Sequence, residues 1–321
     1  MACRACRRTK RSASSRRSSD EDSRAPLRER GHGPALPGRL CCRLRTAEPR
    51  QGIAVLNIPG PADLKKIVVL NPKGGSGKST LATNIAGMLA ATGQPVALMD
   101  FDPQASAMRW LQKRAADASL PPVHGIFACE DDPRQTRSFR LRVPAEIRYL
   151  VVDTPAAVPV HGLVDFTRGA HALLLPVLPS DIDIHAATRL IADLLLVAKV
   201  SRRMGRLGVV ANRVRQNTLS YRQLMKFLDR LSIQRVCELR DSQNYVYAAE
   251  HGLSVHELQP SRARRDLEQW LPLIDWLALR LETPLTSRDL QLPPDRAVEP
   301  PANESRYSQG TVTKLVRPGE D

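Results

Sequence analysis

The sequence predicts an α/β fold: a doubly wound, mostly parallel sheet flanked by helices. Short apolar runs such as Ile67–Leu70 alternate with helical patterns from residue 65 to about residue 281. A glycine-rich segment joins the first run to the first helix, and polar residues directly follow several of the runs. Because ligands of this fold bind at the carboxyl ends of the strands, these polar residues indicate one common site.

The predicted strands are short runs, mostly apolar, which is typical of strands that are covered on both faces of a sheet. In chain order they cover Ile67–Leu70, Pro95–Met99, Val123–Phe127, Arg148–Val152, Ala172–Val177, Leu207–Ala211 and Gln234–Glu238. Helical segments separate most of these runs, and such crossovers are what parallel neighbours require.

The predicted helices follow from apolar residues at helical spacing and from the residues that end each pattern. The first helix carries its apolar residues on one face and ends near Ala91, before Gly93; they are Leu81, Ile85, Met88 and Leu89. The further helices cover Ala105–Ala115, Ile182–Arg203, Ser220–Leu231, Asn244–Gly252 and Arg262–Leu281, the last bent or broken near Pro272. Residues 130–146 are polar and loosely helical.

Composition divides the 321 residues into a globular domain, residues 63–283, and two flanking segments. Residues 1–62 are rich in Arg, Ser, Pro and Gly and are predicted to be disordered, as is the proline-rich tail 284–321. Residues 1–50 hold 14 Lys and Arg against five Asp and Glu, so they carry +9 of the net charge of +15. Two readings of this basic extension stay open. We favour a stretch upstream of a misplaced start codon over an arm that binds nucleic acid.

The segment Asn71–Thr80 has the layout of a phosphate-binding loop. Its three glycines let the backbone turn N–H groups toward an anion, and the helix that follows adds its positive end. Lys78 is placed to reach the β- and γ-phosphates of a nucleotide, and Ser79 to ligate Mg²⁺. Pro72 stands where the general pattern has its first glycine, and an additional lysine, Lys73, precedes the glycine pair.

Three carboxylates are predicted to join this loop. Asp153 follows the apolar run Tyr149–Val152, as expected of a carboxylate that holds Mg²⁺ directly or through water. Asp100 and Asp102 end the second strand and point the same way, so one can orient the attacking water and the other can organise the metal shell. Each of the three has a plainer alternative: Asp153 can cap the segment after its strand, and Asp100 or Asp102 can cap the next helix.

These motifs resemble the ParA/MinD branch of the deviant Walker A P-loop NTPases, closest to the small ParA-type members, over residues 64–282. The resemblance implies an ATPase that uses ATP and Mg²⁺. It implies that Lys73 reaches the nucleotide of a partner subunit, that Thr80 touches the α-phosphate and that Asn212 contacts adenine. Lys73, Lys78 and Asp102 are then the expected catalytic residues, and Ser79, Asp100 and Asp153 the expected metal set. The expected nucleotide-binding set is Gly74, Gly75, Ser76, Gly77, Lys78, Ser79, Thr80 and Asn212.

The same resemblance implies partners. They are a second copy of the chain in the ATP state, non-specific DNA, and a ParB-like or cargo-adaptor protein that stimulates weak hydrolysis. A basic cluster at the start of the last helix opposes that helix's dipole and is therefore the best candidate for a DNA-binding patch. The cluster consists of Arg262, Arg264 and Arg265. The cargo, whether plasmid, chromosome or protein assembly, stays open.

The lengths of the apolar runs and the positions of the cysteines limit which classes of protein remain as alternatives. No apolar run approaches the roughly 20 residues that span a bilayer, and the tail 311–321 makes a poor interfacial helix, so we expect no membrane partner. The six cysteines form no disulfide framework, which together with the nucleotide loop predicts a cytoplasmic protein. The DNA binding that the resemblance implies would make it nucleoid-associated. Cys129 and Cys237 do not suit an iron–sulfur ATPase. A MinD-like membrane-associated ATPase, a small-molecule ligase or kinase, and a non-hydrolysing scaffold remain as alternatives.

Overall fold

A computed structural model of the chain describes residues 58–129, 134–231 and 233–283. Most of the predicted basic extension and the whole predicted tail lie outside these residues, as do the four cysteines of the extension. Within the described part, no helix is both long and apolar enough to cross a membrane.

The sheet has seven strands in the order β3-β2-β4-β1-β5-β6-β7, and every neighbouring pair is parallel. The strands are β1 Lys65–Val69, β2 Val96–Asp100, β3 His124–Phe127, β4 Tyr149–Asp153, β5 Ala172–Val177, β6 Leu207–Val214 and β7 Gln234–Arg240. The chain leaves β1 toward one edge of the sheet and later continues from β5 toward the other. The carboxyl ends around this reversal are where the fold places a ligand.

Eight helices and one short 3₁₀ turn, Val255–Glu257, connect the strands within the described residues. The helices are α1 Lys78–Ala91, α2 Ser106–Ala115, α3 Arg137–Arg140, α4 Val160–Thr167, α5 Asp181–Leu196, α6 Leu219–Arg230, α7 Gln243–Glu250 and α8 Pro260–Leu281.

The core consists of two apolar layers, one on each face of the sheet. Successive residues of β1 alternate between the layers, because neighbouring side chains of a strand point to opposite faces: Ile67 lies in one and Val68 in the other. Helices α1 and α8 cover the first face, and α5 and α6 cover the second. The doubly wound fold predicted from the sequence is thereby confirmed.

Three elements differ from the sequence prediction. Helix α5 ends at Leu196 and not near Arg203, since the N–H groups of residues 197 and 198 both donate to the Asp193 carbonyl and Lys199 takes a left-handed φ of 54°. Strand β6 continues past Ala211 to Val214 through a bulge. The sequence prediction also missed α4. It contains a glycine and two valines, which are weak helix formers.

Two smaller differences concern helices. Between residues 130 and 146 only the four residues of α3 are helical among those described. Helix α8 is a single element that runs through Pro272 without a break.

Candidate nucleotide site

The loop between β1 and α1 is folded tightly on itself and tied to β5. Gly75 and Gly77 take φ values of 75° and 92°, which favour glycine. The Asn71 side chain accepts a hydrogen bond from the Lys73 N–H at 2.8 Å and donates one to the Pro176 carbonyl at 2.6 Å. The loop therefore has a fixed shape at the end of the central strand.

Lys78 lies inside this loop. Its ammonium donates to the Lys73 carbonyl at 3.0 Å, and the residue is only 6% exposed. Burial lowers the pKa of Lys78, while the negative charges of Asp153 and Asp102 oppose that shift. The loop thus holds a cation with two carboxylates nearby, at the position where a nucleotide phosphate would bind.

Asp153 ends β4 beside the start of α1. It is fully buried, and neither of its carboxylate oxygens has a hydrogen-bond partner among the described residues. Burial raises the pKa of Asp153 to about 7, and the neighbouring Ser79 hydroxyl opposes the shift. A buried carboxylate without partners is costly, so this pair of oxygens is suited to a cation.

Asp100 ends β2 and is also fully buried, but its oxygens are already used. One accepts the Asp102 N–H at 2.8 Å, and the other accepts the N–H groups of Ala107 and Met108 at 3.0 and 3.3 Å. Burial raises the pKa of Asp100, and these three hydrogen bonds counteract the rise. This is the helix-capping alternative that the sequence left open, and a metal role for Asp100 stays a prediction.

Asp102 lies between these buried groups and solvent. Its Oδ1 accepts the Gln104 N–H at 2.9 Å, which shapes the turn before α2. The residue lines the same cavity as the phosphate loop. A carboxylate at this place can orient a water molecule for attack on a phosphate.

Lys73, the other lysine of the loop, forms an ion pair with α5. Its ammonium lies 3.5 Å from a carboxylate oxygen of Asp183, whose side chain is 8% exposed and lies in the first turn of α5. Lys73 itself is about one-third exposed. Lys73 thus pairs with a carboxylate of α5 and, unlike Lys78, does not line the cavity. Its predicted contact with a partner subunit stays a prediction.

Asn212 contacts the loop directly. It lies in β6 next to Arg213, which takes a φ of 51°, and its side-chain amide donates to the Ser76 carbonyl at 2.9 Å. A Cβ atom on Gly77 would lie 2.1 Å from the Asn212 amide nitrogen, so only glycine fits there. The residue predicted to contact adenine is thus close to the residues predicted to bind phosphate.

Lys78, Ser79, Asp102 and Asn212 line a single cavity of about 1110 Å³, whereas Asp100, Asp153 and Lys73 are not among its lining residues. Its floor includes most of the predicted phosphate-binding residues, among them Thr80, while β7 and α7 supply a wall that the sequence prediction missed. In that wall Asp241 pairs with Arg213 at 3.1 Å and with Arg215 at 2.7 Å. Asp241, a polar residue directly after β7, could have indicated that this strand end belongs to the cavity. Nothing in the sequence indicated that Asp241 pairs with two arginines.

The basic cluster at the start of α8 lies at the predicted place, and its three arginines are exposed. They differ in their contacts. Arg262 stacks on the Tyr247 ring at 3.8 Å and donates to the Asn244 side chain at 2.9 Å, and Arg264 pairs with Glu268 at 3.2 Å. Neither this stacking contact nor these hydrogen bonds and ion pairs involve Arg265. Binding of DNA by the cluster stays a prediction.

Comparisons with known proteins agree with this geometry. The family model of the CobQ/CobB/MinD/ParA nucleotide binding domain matches residues 67–255. A carboxysome distribution maintenance protein A of Halothiobacillus neapolitanus is 29% identical over 195 residues, which is 60% of this chain and 87% of that protein. A protein of the same name from Gloeobacter kilaueensis is 34% identical over 146 residues, 46% of this chain and 64% of its own length.

Among solved structures, the septum site-determining protein MinD of Pyrococcus horikoshii, complexed with Mg-ADP, superposes with a TM-score of 0.50. The alignment covers 68% of this chain and 98% of that one at 13% identity, so it supports the fold alone. The family model, in contrast, spans more than half of the sequence and includes the loop, all three carboxylates and Asn212. The chain therefore belongs to the ParA/MinD family of nucleotide-binding proteins.

Proposed function

We propose that this chain is an ATP-dependent switch, a weak ATPase that dimerises when it binds ATP and that positions a cargo. Residues 63–283 form its ATPase domain. The observation that carries the proposal is the fully buried Asp153 carboxylate, which lies next to Ser79 and Lys78 and whose oxygens meet no hydrogen-bond donor at bonding geometry among the described residues. In a protein without a ligand function, such a charge would be a pure cost.

The donor set fits Mg²⁺ bound together with a nucleotide. Mg²⁺ prefers oxygen ligands and usually takes one or two carboxylates along with phosphate oxygens and waters. Ser79 and Asp153 supply a hydroxyl and a carboxylate whose oxygens are free to accept a cation. When bound, the ion neutralises charge on the β- and γ-phosphates.

The chain's own residues would bind the phosphates and the base and orient the attacking water. The loop N–H groups and the Lys78 ammonium bind the phosphates, and the start of α1 adds its positive end. Asp102 orients water toward the terminal phosphate. Asn212 holds the base end of the nucleotide near the loop. Hydrolysis would be slow until a stimulating partner accelerates it.

Lys73 supports dimerisation as part of the proposal. One triphosphate site seldom needs two loop lysines, and Lys73 is about one-third exposed, pairs with Asp183 and does not line the cavity that Lys78 lines. A lysine so placed can contact the nucleotide of a second copy, which links assembly to the γ-phosphate.

DNA and cargo complete the proposal. The arginines at the start of α8, Arg265 above all, are the proposed contacts to the phosphates of non-specific DNA, so the protein would associate with the nucleoid in the cytoplasm. A ParB-like or adaptor protein would stimulate hydrolysis. Two relatives named for carboxysome distribution favour a protein assembly as the cargo, beside plasmid or chromosome.

The first experiment measures ATP-dependent dimerisation and phosphate release with purified protein. We expect a dimer with ATP and Mg²⁺ that Lys73→Ala abolishes, and hydrolysis that Asp102→Ala reduces at least tenfold without loss of nucleotide binding. Lys113→Ala is the matched control, because Lys113 lines the same cavity but lies on α2. A wild type with neither dimer nor hydrolysis would refute the switch.

The second experiment measures retention of double-stranded DNA with ATP. The double variant Arg264→Ala/Arg265→Ala should weaken binding at least fivefold and lower its salt dependence. The control is Arg142→Ala/Arg148→Ala, which removes two exposed arginines between β3 and β4. Binding to anionic lipid vesicles in place of DNA would favour the membrane-associated alternative.

A further inference from the structure

Asp100 differs from a metal ligand in how its oxygens are used. It is 0% exposed, and its two oxygens accept three backbone N–H groups, from Asp102, Ala107 and Met108. Two of these donors lie in the first turn of α2, and the third lies in the turn that carries the Asp102 side chain. One side chain at the end of β2 thus holds two segments of the site.

Helix α2 depends on this contact. Its N-cap residue, Ala105, has no side-chain oxygen and takes a left-handed φ of 51°, which is unfavourable for a residue other than glycine. The first N–H groups of a helix need acceptors from outside the helix. Asp100 supplies that acceptor from seven residues earlier in the chain.

The same contacts limit what else Asp100 can do. The two oxygens of a carboxylate offer about four acceptor positions, and the three N–H groups fill three of them. At most one position, on Oδ1, is therefore left for a metal ion unless a buried or half-buried donor loses its acceptor. Asp153 lies opposite Asp100 on the neighbouring strand and has no such contacts to lose. The two carboxylates are therefore suited to different tasks.

We propose that Asp100 is a positioning residue, which fixes the Asp102 turn and the start of α2 relative to the phosphate loop, and that it does not bind the metal. This inference rests on the proposed ATPase function for its catalytic consequence. Its structural part, the retention of the three hydrogen bonds when the nucleotide and metal bind, can be tested separately.

The first test compares Asp100→Asn with Asp153→Asn. The amide introduced by Asp100→Asn keeps the shape of the side chain but places an NH₂ group against backbone donors. We expect at least a tenfold fall in turnover, with the Mg²⁺ concentration for half-maximal binding of a fluorescent ATP analogue within twofold of the wild type. Asp153→Asn should raise that concentration at least tenfold. An equal rise in both variants, or wild-type turnover in Asp100→Asn, would overturn the proposal.

The second test needs no variant and still applies if Asp100→Asn fails to fold. Hydrogen exchange of the amides of residues 102, 107 and 108 is measured in the wild type without ligand and with Mg²⁺ and a non-hydrolysable ATP analogue. We expect these amides to be protected in both states. Protection that is lost on adding Mg²⁺ and nucleotide would show that Asp100 turns toward the metal. Exchange that is fast without ligand would refute the contacts themselves.

The outcomes separate the two proposals. A wild type that binds no ATP but keeps the three amides protected would refute the proposed function and leave the structural part standing. A wild type that binds and hydrolyses ATP, with a Mg²⁺ requirement that depends on Asp100, would refute only the positioning role.

Discussion

Two carboxylates lie opposite each other at the ends of neighbouring strands, close to the phosphate loop, and they differ in almost every contact. Asp100 of β2 and Asp153 of β4 are register partners, and both are fully buried. Asp100 accepts three backbone hydrogen bonds, whereas Asp153 accepts none. Burial raises the pKa of both, but only Asp100 has backbone hydrogen bonds that offset it.

The difference shows that the effect of a buried carboxylate on stability depends on the hydrogen bonds that it accepts. A carboxylate with its acceptors filled stabilises the protein by itself, so its removal leaves donors unsatisfied. A carboxylate without partners destabilises the protein until a cation arrives, so its removal is a gain in stability and a loss in binding. The predictions below test this contrast.

The largest effect is expected where a buried charge pair is broken. Arg114 of α2 and Glu257 of the 3₁₀ turn form a bidentate pair at 2.6 and 2.9 Å, and their side chains are 3% and 7% exposed. Arg114→Met should lower the free energy of unfolding by about 3–5 kcal/mol, because Glu257 is left buried without its charge partner. The double variant Arg114→Met/Glu257→Gln should recover much of this loss in urea unfolding, because the glutamine removes the buried charge and keeps an acceptor for the Ser254 N–H. Equal instability of both variants would mean that packing, not charge, explains the effect.

Asp153→Asn should stabilise the protein when Mg²⁺ and nucleotide are absent. The pKa of Asp153 is raised to about 7, so between about pH 4 and pH 7 the folded state binds more protons than the unfolded state, and wild-type stability falls as pH rises. The gain at about pH 8 is up to about 4 kcal/mol, and it should be smaller at about pH 5. Urea unfolding at both pH values checks this. If Asp153→Asn is less stable than the wild type at the higher pH, the contrast is contradicted.

Asp100→Asn should have the opposite sign. The asparagine cannot accept from all three N–H groups, so the free energy of unfolding should fall by about 3 kcal/mol. The same urea titrations give the value, and Asp102→Asn is the matched control, since Asp102 accepts only one local hydrogen bond at the surface of the cavity. A gain in stability from Asp100→Asn would mean that the two carboxylates affect stability in the same way, which would contradict the contrast.

The smallest effect tests whether lack of partners alone marks a ligand site. His256 is buried against Trp270 at a ring distance of 4.9 Å, and neither of its ring nitrogens has a hydrogen bond among the described residues. Burial lowers the pKa of His256 to about 3, so wild-type stability is lost as pH falls below about 6.5. His256→Leu should therefore gain about 2 kcal/mol at about pH 5 and less at about pH 8. Thermal unfolding at the two pH values measures it, and nucleotide binding should not change.

The sequence predicted the strand ends well because apolar runs followed by polar residues carry a strong signal. The loop, the three carboxylates and Asn212 all lie at the expected edge. What could not be predicted depends on packing. The acceptor role of Asp100 arises because Ala107 and Trp110 bury one face of α2 and bring its first turn onto β2. Helix α5 ends early because Lys199 turns into a left-handed conformation.

The basic cluster gives a further example. Sequence alone ranked its three arginines equally, but Arg262 is engaged by Tyr247 and Asn244, which lie 15 and 18 positions earlier in the chain. Such contacts between α7 and α8 depend on how both helices lie on the sheet. The family and the fold are confirmed, while the roles of individual site residues stay predictions.

The contact between Asn212 and the Ser76 carbonyl has a consequence for changing which nucleotide this protein uses. Asn212, the proposed base contact, meets the proposed phosphate loop through one hydrogen bond and one glycine, since any side chain at Gly77 would collide with Asn212. A variant library that alters base preference at position 212 would therefore also disturb the phosphate loop. Engineering a new base preference requires these three positions to be varied together.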